Sequence, residues 1–211
     1  MRIAGGKEEE GVVIGNTYDK YGSKNFLVRR IMRGFDDSLT QLVEKADPKS
    51  IHEVGCGEGY WSTRWAREGY PVRGTDFSHA VIDMAREHAG AKGLDQEIFT
   101  VRSIYDLVPQ EDGADLLVCC EVLEHLEEPE RALEVLEQVV RNRIILSVPR
   151  EPLWRALNVA RGHYLADMGN TPGHLQHWSK KSFLNFVSSR FEIEEVRSPL
   201  PWTMILARKR T

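Results

Sequence analysis

Across residues 51–148 the apolar positions fall into short runs, separated by longer stretches in which they recur at helical spacing. Periods of this kind predict strands over 51–54, 72–75, 98–101, 115–120 and 144–148. The run at 115–120 is nearly continuous, as in a strand covered on both faces. Between the strands, a helix over 61–68 is closed by Gly69. A second is capped by Ser78 and runs to about 91, with Gly93 as its stop. A third over 129–140 is opened by Pro129. Strands alternating with helices at this rhythm predict an α/β fold, a mostly parallel sheet doubly wound by helices.

The flanks depart from that rhythm. Residues 17–46 read as one helix, with Phe26, Leu27, Ile31, Phe35, Leu39, Leu42 and Val43 on an apolar face, ended by Asp47-Pro48. Residues 1–16, with Gly5-Gly6 and the Lys7–Glu10 charge run, read as a loose lead. After Pro149 a short amphipathic helix over 152–160 precedes an irregular Gly-, His- and Pro-rich stretch at 161–178. Helix 182–189 and strands 191–196 and 202–207 follow. Pro199-Leu200-Pro201 joins the two strands, which predicts an antiparallel C-terminal edge. The expected organisation is a lead and helix over 1–46, then a domain over 47–211 with a cap inserted at about 150–180.

A chain of 211 residues with 41% hydrophobic and 28% charged positions suits one folded α/β domain and argues against disorder. Its net charge of −4 supplies no general positive field for long nucleic acid. Arg141, Arg143, Arg150, Arg155 and Arg161 nonetheless gather in the last third. Cys56, Cys119 and Cys120 have neither disulfide-framework nor zinc spacing. No apolar run is long enough to span a bilayer and no signal peptide opens the chain, so the expected setting is cytoplasmic.

The sharpest chemical signal is Glu53-Val54-Gly55-Cys56-Gly57-Glu58-Gly59, at the junction of the first strand and its helix. Glycines there let a ligand approach the backbone. A dinucleotide fingerprint spaces them G-x-G-x-x-G; here the third comes one residue early and Tyr60 takes its place. Asp76 follows about twenty residues on, at the end of the next strand, where a carboxylate can accept both hydroxyls of a ribose. As a lone residue it reads equally well as a helix cap.

The E-x-G-x-G-x-G form resembles the first motif of class I S-adenosylmethionine-dependent methyltransferases, whose Rossmann-like sheet the predicted elements match. Asp115–Leu126 resembles the post-strand segment of the ubiquinone-biosynthesis branch. The resemblance implies S-adenosylmethionine as cofactor. Gly55, Cys56, Gly57 and Gly59 would line it, Glu53 would orient the loop and Asp76 with Phe77 would hold the ribose side. Ser103, Ile104 and Glu121 would border the adenine and methyl, and Tyr21 would fold over the top. A small-molecule acceptor, methylated on oxygen, is the implied partner, with nitrogen next.

Glu121, Glu124 and His125, followed by His174 ahead of Trp178-Ser179, also resemble the E-x-x-E-H segment of small-RNA terminal 2'-O-methyltransferases. In that family two Glu and two His hold a divalent metal on the acceptor diol, and Glu121, Glu124, His125 and His174 match. The resemblance leaves three alternatives open. Glu124, His125 and His174 could act on the acceptor without a metal; they could carry a metal for an RNA end; or the chain could bind cofactor without turnover. Trp154 and Trp178 read either as acceptor lining or as the core of the cap. Oligomeric state is not legible.

Overall fold

The computed structural model describes residues 3–6, 8–9, 12–15, 22–160, 168–171 and 173–210. A short antiparallel pair, β1 (Glu8–Glu9) and β2 (Val12–Val13), lies in the stretch expected to be loose. Then follow α1 (Phe26–Ala46), β3 (Ile51–Val54), α2 (Tyr60–Arg67), β4 (Val72–Asp76) and α3 (His79–Gly90). Next come β5 (Phe99–Val101), the single turn α4 (Pro109–Asp112), β6 (Leu116–Cys120), α5 (Pro129–Val139) and β7 (Arg143–Pro149). The chain closes with α6 (Leu153–Ala160), α7 (Lys180–Ser188), β8 (Phe191–Arg197) and β9 (Trp202–Lys209).

Seven strands form one sheet in the order β5-β4-β3-β6-β7-β9-β8. The first five are mutually parallel; β9 runs antiparallel to both β7 and β8. The two-residue period then sorts side chains into two layers. Leu117 and Cys119 of β6, with Ile144 and Leu146 of β7, face α5 and α7. Leu116, Val118 and Ile145 face α1 and α2. β9 is buried on both faces through Ile205 and Ala207 on one side and Met204 and Leu206 on the other.

Two expectations for α1 need correction. The helix starts at Phe26, because the Asn25 side chain accepts the Leu27 and Val28 N–H groups at 2.9 and 3.3 Å and caps it there. Its fully buried face begins at Phe35, which meets Trp202 edge-on at 4.9 Å, with Ile31 partly buried against the same core. Phe26 and Leu27, in the first turn, are 77% and 55% exposed rather than in the core.

Candidate active site

Strand order reverses at β3 and β6, and open α/β sheets take ligands in the crevice beyond the carboxyl ends at such a point. The turn from β3 to α2 lies there, with Gly55, Gly57 and Gly59 all at positive φ. Their surroundings differ. A Cβ on Gly55 would lie 2.2 Å from Val122, and one on Gly59 would lie 2.6 Å from the Phe99 ring. At Gly57 it would meet nothing within 4 Å. Two of the glycines admit neighbouring side chains, and the middle one leaves the open side clear.

Glu53 turns beneath this loop. Its Oε2 accepts the Ser62 N–H at 2.8 Å and the Ser62 hydroxyl, holding the start of α2 against β3. Burial lifts its pKa to about 8 against the pull of those two hydrogen bonds. Asp76 reaches across from β4: Oδ2 accepts the Gly57 N–H and Oδ1 the Ser78 N–H, each at 3.1 Å. Burial, reinforced by the nearby Glu58 and Glu9 charges, raises it to about 6, so it is ionised at neutral pH. Phe77 beside it stands 37% exposed.

The remaining cofactor candidates are less directly placed. Cys56 is buried, its Sγ 3.6 Å from the Gly57 carbonyl, and burial pushes the thiol well above its ordinary pKa. The Ser103 hydroxyl accepts the Tyr105 N–H at 3.3 Å and caps a turn. Ile104 was expected at the adenine, but its side chain is 7% exposed and packs in the core with Leu107 and Leu133. Tyr21 lies outside the described residues.

The loop after β6 carries the acceptor-side candidates, and the structure divides them. Glu121 has φ +59. Its carboxylate accepts the Ser147 hydroxyl at 3.0 Å and the Trp202 indole N–H at 2.5 Å. Glu124, His125 and His174 instead bring one ligand atom each within 4.8 Å of one another. Of the four expected residues these three come together, while Ser147 of β7 and Trp202 of β9 hold the Glu121 carboxylate. His174 reaches the site through the cap, since the Leu175 and Gln176 N–H groups both donate to the Glu124 carbonyl.

His125 Nδ1 lies 2.9 Å from the Gly173 carbonyl, an acceptor only, so Nδ1 carries a proton there and the ring is oriented by that bond. Burial, with His125 and His177 adjacent, lowers His174 to about 3 and keeps it neutral. Trp154 stacks on His174 at 5.9 Å, leans on Trp202 at 5.9 Å and donates to Thr171 at 2.8 Å. Trp178 packs against Phe183 and Phe186. Of the two cap tryptophans, Trp154 borders the site and Trp178 belongs to the core. Sequence reasoning missed Trp202 and Glu58. Trp202 was legible as one large indole opening an aliphatic strand; Glu58, 1% exposed and accepting the Ala4 N–H at 3.0 Å, left no comparable signal.

The model of the methyltransferase domain matches residues 52–147, the span holding the glycine turn, Asp76 and Glu121–His125. Residues 52–147 thus carry a methyltransferase domain, and the chain is similar to class I S-adenosylmethionine-dependent methyltransferases. A ubiquinone biosynthesis O-methyltransferase of Coxiella burnetii is 34% identical over 86 residues, 41% of this chain and 36% of that protein. The matched region thus spans about a third to a half of such relatives' length. Among solved structures, magnesium protoporphyrin IX methyltransferase from Synechocystis with bound S-adenosylhomocysteine is similar with TM-score 0.67 at 21% identity, covering 92% of this methyltransferase chain and 94% of that one. The methyltransferase domain of bacterial CtHen1 is similar with TM-score 0.63 at 19% identity, covering 84% and 99%. At these identities the two structures speak for the fold alone.

Proposed function

We propose that this methyltransferase transfers the methyl group of S-adenosylmethionine to an oxygen of a small-molecule acceptor. The observation that carries the cofactor half is Asp76. An ionised carboxylate, fixed by the Gly57 and Ser78 N–H groups, stands beside the open side of Gly57 and the exposed Phe77 ring. That arrangement suits a ribose whose two hydroxyls donate to the carboxylate, with an aromatic face for the base. The oxygen acceptor draws its support from the O-methyltransferase names of the relatives.

In the reaction the acceptor oxygen forms its bond to the methyl carbon as the carbon–sulfur bond breaks. The sulfonium becomes neutral S-adenosylhomocysteine, and the acceptor's proton leaves. Since sulfur is a good leaving group, alignment of the two reactants supplies most of the acceleration. His125, its ring oriented by the Gly173 carbonyl at Nδ1, is the group suited to take the proton. Trp154 and His174 form a flat wall suited to a planar acceptor.

The Glu124, His125 and His174 cluster favours a second reading, metal-assisted methylation of a diol such as an RNA-end ribose. The donor set fits a cation: one carboxylate and two neutral imidazoles suit Mn²⁺, Fe²⁺ or Zn²⁺ better than Mg²⁺. A bound cation would lower the pKa of the acceptor hydroxyl. Glu124, His125 and His174 would hold it, with Gly173 fixing the His125 ring behind it.

Calorimetry with S-adenosylhomocysteine, followed by labelled-methyl transfer to a panel of phenols, diols, amines and RNA ends, tests both readings. The first expects binding that Asp76→Ala weakens at least tenfold, and transfer to a phenol or diol that survives exhaustive chelation. Loss of transfer on chelation, restored by Mn²⁺ and absent in His174→Ala, selects the second. Tight binding with no transfer reduces the chain to a cofactor-binding module. Undetectable binding removes the cofactor proposal altogether.

A further inference from the structure

Eight large apolar side chains stand exposed among the described residues, and they are not scattered. Phe26 and Leu27 open α1; Val159 ends α6; Met168 and Leu175 belong to the cap; Leu200 is in the turn from β8 to β9. Leu200, Leu175 and the first turn of α1 lie towards the carboxyl ends of the parallel strands, where the active site opens, and Val159 and Met168 belong to the segment that leaves β7 at that end. Phe77, at the ribose candidate, shares that edge, and only Val108, ahead of α4, lies at the other. One edge of the molecule is therefore markedly more apolar than the rest of its surface.

Its charge is equally one-sided along α1. The stretch 22–35 contains Lys24, Arg29, Arg30 and Arg33 and no acidic residue. All four cations are exposed, and among the described residues none makes an ion pair, whereas Arg64, Arg102, Arg143 and Arg190 each do. At 100° per residue, Arg29, Arg30 and Arg33 share the outward ridge with Phe26, opposite Phe35 and Leu39. Cations near the positive end of a helix dipole repel it, and a negatively charged surface relieves that repulsion. Ile31 and Met32 still pack against the core, and only the first turn of α1, with Phe26 and Leu27, stands clear of it.

We propose that this edge docks on an anionic lipid surface, with Phe26 and Leu27 inserted, the α1 cations against the headgroups and the acceptor mouth facing the bilayer. Apolar side chains with a row of arginines beside them are the composition that binds such interfaces peripherally. No helix among the described residues is long and apolar enough to cross a membrane, so the contact is superficial. A nucleic-acid surface would use aromatic stacking platforms, yet five of the six side chains are aliphatic. The proposal stands apart from the methyl-transfer reading and does not need it.

Sedimentation of the full chain with vesicles of phosphatidylcholine, with and without one third phosphatidylglycerol, tests it. Binding is expected only to the anionic vesicles and falls as salt is raised. R29E/R30E/R33E should weaken partition about 100-fold, and F26S/L27S on the order of tenfold or more, with unchanged thermal midpoints. At the opposite edge, R208E/K209E and V108S should leave partition unaltered. No partition to anionic vesicles, or equal loss from variants at both edges, overturns the proposal. So does Arg29-dependent binding to single-stranded RNA that is tighter than to vesicles, which would assign the edge to nucleic acid instead.

Discussion

Asp76 has two jobs that pull against each other. Its backbone hydrogen bonds from Gly57 and Ser78 favour the carboxylate, while burial and the Glu58 and Glu9 charges favour the acid, and the balance is about 6. On the proposed reading a ribose donates hydrogen bonds to the ionised form, so a proton on Asp76 would compete with the cofactor. Affinity for S-adenosylhomocysteine should be flat above about pH 7 and fall by about tenfold per pH unit well below pH 6; Asp76→Asn should remove that slope. Calorimetry at several pH values reads it, and an unchanged Kd at pH 5 contradicts the assignment. The sequence points to Asp76 through a strand end and a spacing, and its carboxylate does reach the glycine turn through the Gly57 N–H. For Ile104 and Glu121 the sequence named positions without their surroundings. Whether Ile104 faces a ligand or the core, and whether Glu121 reaches a metal or Trp202, depends on which neighbours stand across the sheet.

Packing between elements explains why the glycine turn contains three glycines. Gly59 lets α2 approach β5, because the Phe99 ring and Ala85 of α3 fill the space its side chain would need. Gly74 on β4 is crowded by the same ring at 2.8 Å. Gly57 has no such neighbour. Gly59→Ala should therefore cost roughly 2–4 kcal/mol in urea unfolding, through strained φ and overpacking. Gly57→Ala should cost only about 1 kcal/mol, yet weaken S-adenosylhomocysteine binding, since its methyl projects where a ligand approaches. Equal destabilisation by the two, with unchanged affinity, would contradict the distinction. The spacing alone predicts a ligand-admitting loop and treats all three alike; β5 and α3 separate them.

For the whole molecule, the pH dependence of stability turns on two buried neighbours in β3. His52, hydrogen-bonded to the Asp112 carbonyl and Thr75 Oγ1 with Asp112, Arg73 and Arg102 nearby, is lowered to about 4 mainly by burial. Its contribution is complete above about pH 6.5 and is lost as pH falls towards 4. Glu53, raised to about 8, runs the other way: its contribution is complete below about pH 4.5 and is lost as pH rises through 8. Glu53→Gln keeps an acceptor for Ser62 without the buried charge. It should be more stable than the parent by several kcal/mol near pH 8 and equal to it near pH 4.5, the gap widening by on the order of 1.4 kcal/mol for each pH unit between them. Urea midpoints at the two pH values check this, and a variant less stable at pH 8 would refute it. The sequence by itself determined the layered α/β fold, the glycine turn and the position of Asp76 at a strand end, because periodicity and strand-end spacing are local properties of the chain. The tertiary structure alone decided that Glu121 turns to Trp202 while Glu124, His125 and His174 stay together, and that the exposed apolar side chains collect on one edge. Each of those depends on segments far apart in sequence meeting across the carboxyl ends of the sheet.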